Sequence, residues 1–583
     1  MTDEKALIVQ GDLTLMLEVH SPGFDAARGD ISAFSELEKS PEHIHTYKIS
    51  SLSLWNAAGA GLTPEDVEKT LRLHSKYPIP ENVIFSIKER MARYGLLKLF
   101  EGPDKDSLIL KSSDPYIAKE LASRKTMDKY WIKTSEGFLL PLIHRGTIKQ
   151  ELIQLGYPVQ DMAPLKEGDP LEVTLKTELP GGHPLTIRDY QKESTKALLG
   201  NGGPGTGFGT IVLPCGAGKT VVGINILTLL KTNTLILTTN VAAVHQWIDE
   251  LLEKTSLTMD EIGEYTGDNK NIKAVTVATY QVLVWRKDKV SEFPHFQLFR
   301  ERNWGLIIYD EVHLLPAPVF RVTAELQAVR RVGLTATLVR EDGAETNVFS
   351  LVGPKKYDVP WKELEAKGWI AEASCYEYRI ALPEPIRLEY AVANQRAKYR
   401  IASCNPWKIP VVKQLVENHR EDSILVIGQY LDQLEEISKQ LKAPLITGST
   451  PNPLREEIYN KFRAGTIKLI VVSKVANFAI NLPDASVAIQ VSGTFGSRQE
   501  EAQRLGRILR PKKKNSFFYT LVTRFSSEEE FAAHRQRFLA EQGYKYTVDV
   551  ISEEELIASG VSVDELDDYA KRPETVQTLE SPS

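Results

Sequence analysis

The stretch Thr210-Ile211-Val212-Leu213-Pro214-Cys215-Gly216-Ala217-Gly218-Lys219-Thr220, with the apolar-periodic run Val221 to Leu230 behind it, decides how this chain is read. A short β-branched run, a glycine-rich turn and a helix, in that order, are the parts of a phosphate-binding loop. Glycines let backbone N–H groups face phosphate oxygens, and the helix N-terminus adds the positive end of its dipole. Gly216, Ala217, Gly218, Lys219 and Thr220 are therefore the expected nucleotide-binding residues. Lys219 is expected to reach the β- and γ-phosphates of ATP, and the Thr220 hydroxyl to bind Mg²⁺. The strict G-x-x-x-x-G-K-[ST] pattern departs at its first position, which is Leu213.

Working outward, short apolar runs alternate with amphipathic stretches from about Leu185, the signal of βαβ units and parallel sheets. Expected strands are 210–213, 235–239, 274–279, 306–309 and 332–334, and after a break 424–427, 445–447, 467–472, 487–491 and 517–522. Two successive α/β domains follow, 181–375 and 376–540. The interval 382–410 reads as an insertion or linker. In the first domain, Trp304 to Tyr309 is a buried-strand run that ends in Asp310-Glu311-Val312-His313. Two carboxylates at the C-terminal edge of a parallel strand stand where ligands bind in open α/β sheets. They suit divided roles, with Asp310 holding Mg²⁺ and Glu311 polarising the attacking water. In the second domain, Gln503-Arg504-Leu505-Gly506-Arg507-Ile508-Leu509-Arg510 places Arg507 and Arg510 on one helical face. Two guanidinium groups so spaced fit a γ-phosphate held by the other domain.

Ahead of these domains, residues 1–125 read as mostly helical. Ser51 precedes one helix, Thr63-Pro64-Glu65-Asp66 opens a second, Glu81 to Tyr94 gives a third, and 96–100 with 107–110 give a two-stranded ribbon. That is a winged-helix outline. Residues 126–180 form a small mixed α/β segment. Only Cys215, Cys375 and Cys404 occur, which excludes a disulfide framework or a four-thiolate metal cluster within one chain. No apolar run approaches the ~20 residues of a membrane span, and Met1-Thr2-Asp3-Glu4-Lys5 does not begin a signal peptide, so a cytoplasmic protein is expected. The net charge of −6 is uneven: residues 541–583, an acidic C-terminal tail, hold eleven acidic residues against three basic ones. The body is close to neutral, and local Lys and Arg suffice for a phosphate track.

Gly216-Ala217-Gly218-Lys219-Thr220, Asp310-Glu311-Val312-His313, Leu334-Thr335-Ala336-Thr337 and Gln503-x-x-Gly506-Arg507-x-x-Arg510, in this order, resemble a superfamily 2 helicase. Arg340-Glu341-Asp342 soon after Thr337 is similar to the Arg-Glu-Asp element of XPB-type DNA repair helicases in their bacterial form. Asp12 to Val19 and Ser40 to Tyr47 resemble the N-terminal domain of that family, and Phe531 to Phe538 its C-terminal end.

The resemblance implies two tandem RecA-like motor domains, preceded by the helical domain and a small damage-recognition-like domain at 126–180. It implies an ATP- and Mg²⁺-dependent DNA helicase or duplex translocase of 3′-to-5′ polarity, acting in nucleotide excision repair in the bacterial cytosol. DNA is the implied partner, with a nuclease or repair protein beside it by family analogy. Arg188 and Gln191 match the adenine-reading element, Thr335 and Thr337 the element coupling ATP state to domain closure, and Arg340, Glu341 and Asp342 the element associated with DNA opening. The interval 382–410 falls where the family has a thumb-like projection; here it carries Lys398, Arg400 and Lys408 amid Glu384 and Glu389, a diluted basic surface. Asn481 stands where the family has Asp, an acceptor without charge.

Three alternatives remain beside this reading. An RNA helicase or the motor subunit of a restriction or anti-phage system would keep the same ATP site. Asp-Glu-Val-His and the Arg-Glu-Asp element lean against RNA. A docking scaffold with little turnover is opposed by Lys219, Glu311 and Arg507, and kept open by Asn481.

Overall fold

The computed structural model describes residues 5–39, 43–104, 107–180, 182–200, 202, 206–214, 216–287, 293–316, 319, 329–336, 345–359, 361–473, 485–493, 515–541, 544–552 and 554–555. The backbone divides into one unit running to Leu364 and a second beginning at Glu365.

The first unit opens with a four-stranded antiparallel sheet, β1 (Leu7–Val9), β2 (Thr14–Glu18), β3 (Glu36–Lys39) and β4 (Ile44–Lys48), in the order β1-β2-β4-β3. This sheet corrects the mostly helical reading of residues 1–125. Its strands are three to five residues long and mix polar with apolar side chains, too little for a period to declare itself. The three expected helices then follow at Ser51–Gly59, Pro64–His74 and Glu81–Ala92. Ser50 rather than Ser51 caps the first, in a reciprocal pairing with Ser53, and Thr63 with Asp66 caps the second as the sequence leads one to expect.

The expected ribbon is present as β5 (Leu97–Glu101) and β6 (Ser107–Ser112), but it does not stand alone. With β7 (Ile132–Thr134), β8 (Gly137–Pro141) and β9 (Val159–Asp161) it forms one sheet, ordered β7-β8-β6-β5-β9. The sheet therefore crosses the expected boundary at 125. The reason is burial: Leu97, Leu99, Leu108 and Leu110 share one core with Phe138, Leu140, Ile148 and Leu152.

The seven strands that carry the phosphate loop are β10 (Phe208–Val212), β11 (Thr234–Thr238), β12 (Ile262–Tyr265), β13 (Val275–Thr279), β14 (Leu306–Asp310), β15 (Arg330–Thr335) and β16 (Lys355–Asp358). Every pairing is parallel, in the order β12-β13-β11-β14-β15-β10-β16. The strands β10, β11 and β13 are buried at each residue, as a sheet covered on both faces requires. The chain leaves β10 and crosses β15 and β14 to reach β11, so the C-terminal end of β10 is a topological switch point.

The second unit repeats this plan. Its strands are β17 (Ala373–Ile380), β18 (Ile424–Gly428), β19 (Leu445–Ile446), β20 (Leu469–Ser473), β21 (Val487–Gln490), β22 (Ser516–Thr523) and β23 (Tyr546–Ile551). They are ordered β19-β20-β18-β21-β22-β17-β23, all parallel. Two boundaries shift accordingly. The expected break at 375 falls inside β17, which belongs wholly to the second sheet, and the acidic tail begins with an edge strand, β23. The interval 382–410 holds helices Glu384–Val392 and Gln395–Ser403 and the start of a third, Lys408–Asn418.

The basic surface expected there is also corrected. Lys408 is fully buried, its Nζ 2.8 Å from both carboxylate oxygens of Glu528 and bonded to the carbonyls of Ser403 and Val491. Arg400 is spent on Asp432 at 2.7 Å. Among the described residues, no helix is long and apolar enough to cross a membrane.

Candidate functional site

The loop between β10 and helix Lys219–Leu230 is held open by backbone that only glycine adopts freely. Gly216 has φ +80° and Gly218 φ +76°, the latter as the helix cap. A Cβ at Gly218 would lie 2.7 Å from the Gln191 amide nitrogen. Gln191 is buried and donates to the Ala217 carbonyl at 3.0 Å, while its side-chain oxygen accepts from the Arg188 N–H at 2.9 Å. The Tyr190 hydroxyl donates to the same Ala217 carbonyl at 2.7 Å, and Arg188 reaches that hydroxyl at 3.2 Å. The segment 188–191 thus braces the loop from beneath, and Thr220 sits partly exposed on the first turn of the helix.

Asp310 and Glu311 lie at the end of β14. Glu311 adopts φ +47°, a left-handed conformation costly for a side chain of this size, and one that recurs where function fixes the backbone. The turn aims its carboxylate at Lys219, with Nζ 3.4 Å from Oε1, and sets Oε2 3.5 Å from His313 Nδ1. His313 is in turn 2.6 Å from the Thr335 hydroxyl, and the Thr335 carbonyl accepts from the Leu213 N–H at 3.0 Å. Lys219, Glu311, His313 and Thr335 are thereby drawn together from three elements.

Asp310 faces elsewhere. Its Oδ2 accepts from the Trp247 indole N–H at 2.9 Å, its Oδ1 from the Glu311 N–H at 3.1 Å, and its carbonyl from the Tyr280 hydroxyl at 2.9 Å. Trp247 also packs on the loop's helix so tightly that a Cβ at Gly223 would lie 2.6 Å from its ring.

Electrostatics separates the two acids. Burial pushes the Asp310 carboxyl up to about 6, and the Glu311 carboxylate adds to the rise against the Trp247 hydrogen bond and the Lys219 charge. Glu311 is equally buried, but Lys219 and His313 outweigh burial and hold it below the usual carboxylate range. One acid is fixed as an anion facing a lysine, and the other is short of positive charge.

The structure thus brings Arg188, Gln191, Gly216, Ala217, Gly218, Lys219, Thr220, Asp310, Glu311 and Thr335 to the C-terminal edge of the first motor sheet. Thr337, Arg340, Glu341, Asp342, Asn481, Arg507 and Arg510 lie outside the described residues. Sequence reasoning missed Tyr190, Trp247, Tyr280 and the part played by His313. His313 stands inside the quoted motif, and its imidazole beside two acids was a usable signal; Trp247 and Tyr280 are too distant in sequence to announce a partner.

Comparison with known proteins finds three family models along the chain. One described as the ERCC3/RAD25/XPB C-terminal helicase matches residues 364–579, one of a type III restriction enzyme res subunit matches 184–340, and one of a helicase conserved C-terminal domain matches 7–136. A DNA 3′-5′ helicase XPB of Kineococcus radiotolerans is 50% identical over 94% of this chain and 97% of its own length. The protein of that name from Mycobacterium tuberculosis is 49% identical over 94% and 98%. A general transcription and DNA repair factor IIH helicase/translocase subunit XPB from Encephalitozoon cuniculi is 34% identical over 93% and 82%.

Proposed function

This chain belongs to the XPB family of DNA 3′-5′ helicases, and we propose on that premise that it hydrolyses ATP to move 3′ to 5′ along DNA, in excision repair or a related process of the bacterial cytoplasm. The observation that carries the reading is Lys219 set 3.4 Å from Glu311 across a glycine-rich loop, with the half-buried Asp310 beside them.

In this reading the backbone N–H groups of Gly216, Ala217 and Gly218 cradle phosphate oxygens at the N-terminus of the helix. Lys219 exchanges Glu311 for the β- and γ-phosphates when the nucleotide enters, which frees the Glu311 carboxylate to orient and deprotonate water. His313 holds Glu311 and passes its state to Thr335, and so toward Thr337. Arg188 and Gln191 take the adenine. Arg507 and Arg510 neutralise charge on the γ-phosphate, and Arg340, Glu341 and Asp342 act on DNA. Thr220 and Asp310 would hold Mg²⁺. The fit is physical: a half-buried carboxylate pushed up to about 6 is one that a cation relieves. When bound, Mg²⁺ supplies neutralisation of the β- and γ-phosphate oxygens.

A repair protein, a nuclease among the candidates, is the proposed protein partner, by likeness to relatives that are subunits of a larger repair factor.

ATPase rates with no nucleic acid, single-stranded, duplex and forked DNA, and RNA test the whole reading. Stimulation by DNA over RNA is expected, with turnover abolished in Lys219→Ala and Glu311→Gln at unchanged folding. Undiminished turnover in either variant removes the catalytic assignment, and equal stimulation by RNA moves the chain to another substrate.

A further inference from the structure

We propose that Phe525 is a stacking platform for an unpaired DNA base, set on the C-terminal edge of the second motor sheet; the proposal rests on the DNA-motor reading. Phe525 follows the end of β22 and is 81% exposed. It is also one of five non-glycine residues with positive φ among those described, at +56°, a region that bulky side chains rarely enter. An aromatic ring kept in water on strained backbone is disfavoured twice over, and outliers of this kind cluster at ligand sites.

The turn is nonetheless fixed. The Thr523 N–H donates to Glu528 at 2.9 Å, the Ser526 hydroxyl to the Thr523 carbonyl at 2.6 Å, the Phe525 N–H to Glu529 at 3.1 Å, and the Ser527 N–H to the Tyr390 hydroxyl at 3.0 Å. Glu528 is itself locked by the buried Lys408. A ring on so rigid a turn loses little freedom on binding, which is what an effective platform needs.

Charge identifies the occupant. Lys408 neutralises Glu528, and Arg379 pairs with Glu529 at 2.8 Å. That leaves the exposed Arg524, whose guanidinium lies 4.5 Å from the centre of the Phe525 ring. With the guanidinium over one face, the ring offers its other π-face to a base and the arginine a charge to its phosphate. The edge it occupies is the one at which β18, β20 and β21 also end, where open parallel sheets take their ligands. A base in duplex has both faces covered by its neighbours, so this contact serves unpaired strand alone.

The test is equilibrium binding of the full chain to single-stranded oligo-dT and to a blunt duplex of equal length, for wild type, Phe525→Ala and Phe525→Trp, with a thermal melt of each. Phe525→Ala is expected to weaken single-strand binding by about 5- to 140-fold while duplex binding changes by less than about twofold, and Phe525→Trp to restore the single-strand affinity. Single-strand affinity unchanged in Phe525→Ala overturns the proposal and leaves the ring to a partner other than DNA. An equal loss on both DNAs, or no restoration by Phe525→Trp, also overturns it. Wild-type protein that binds neither DNA sinks the motor reading itself, a result distinct from any failure confined to the variants.

Discussion

Asp310 and Glu311 are adjacent, yet they differ because Lys219 and His313 stand directly against one, while the other has an indole N–H, a backbone N–H and a more distant lysine against the charge of its neighbour. The consequence reaches stability. The folded-state value of Asp310, about 6, lies above its ordinary 3.8, so the folded protein holds this proton more tightly than the unfolded chain does. The stabilisation is complete below the unfolded value and is lost as pH rises through about 6, leaving a poorly compensated anion at neutral pH. Asp310→Asn is therefore expected to raise the melting temperature of nucleotide-free, chelator-treated protein at pH 8, and the advantage should shrink as pH falls through 6. Melts across pH 5–8 check it, and an advantage that does not vary with pH would place the burden elsewhere. Lys219, Asp310 and Glu311 were legible in the sequence because each sits in a short string with its own chemistry. Trp247 was not, because it meets Asp310 from 63 residues away, and nothing in a helical Val-His-Gln-Trp string names that partner.

At the scale of strands and helices, the strands of the two motor sheets read correctly from sequence are chiefly the buried ones, whose unbroken apolar runs leave little choice. Those missed are the charged or short edges: β12 with its glycine, β16 as Lys-Lys-Tyr-Asp, and β23 with four exposed residues. The strand β17 lies inside the sheet but alternates buried with half-buried residues, including Glu377 and Arg379, so it reads as polar. Lys408 misled for the same reason. In a local run with Lys398 and Arg400 it looks like surface, and its partner Glu528 is 120 residues distant. Removing one member of a buried pair strands the other charge, which costs about 3–5 kcal/mol. Lys408→Met should lower unfolding free energy by that order, and Lys408→Met with Glu528→Gln should recover much of it, since glutamine can still accept from the Thr523 N–H. Urea denaturation of both variants measures the difference. A single variant as stable as wild type would show that the pair contributes nothing.

Across the first unit as a whole, a buried ionic cluster joins the accessory sheet to the motor sheet. Arg145 forks onto Asp161 at 2.9 and 3.0 Å, Lys149 reaches the same carboxylate at 2.9 Å, and the Phe208 ring at the start of β10 lies beneath Lys149 at 5.7 Å and Arg331 at 5.1 Å. The mixed segment at 126–180 and the motor domain from 181 are thus one packed body here, because a boundary drawn on texture cannot see that Lys149 lies over the Phe208 ring on its far side. Two buried cations, Arg145 and Lys149, bond the one carboxylate, and a third, Arg331, lies within reach of its charge. Burial first, then repulsion from Arg331 and Arg145 against the attraction of Asp161, pushes Lys149 from 10.5 to about 7. Between these values the unfolded chain binds a proton that the folded protein releases, so stability from this group is greatest above 10.5 and is lost as pH falls toward 7. The urea midpoint of the wild type is therefore expected to climb relative to Lys149→Met as pH is raised from 6.5 to 9.5, the substitution keeping the length of the chain while removing the charge. Parallel midpoints over that range would mean that Lys149 remains protonated in the folded protein and that the cluster tolerates its third cation without cost.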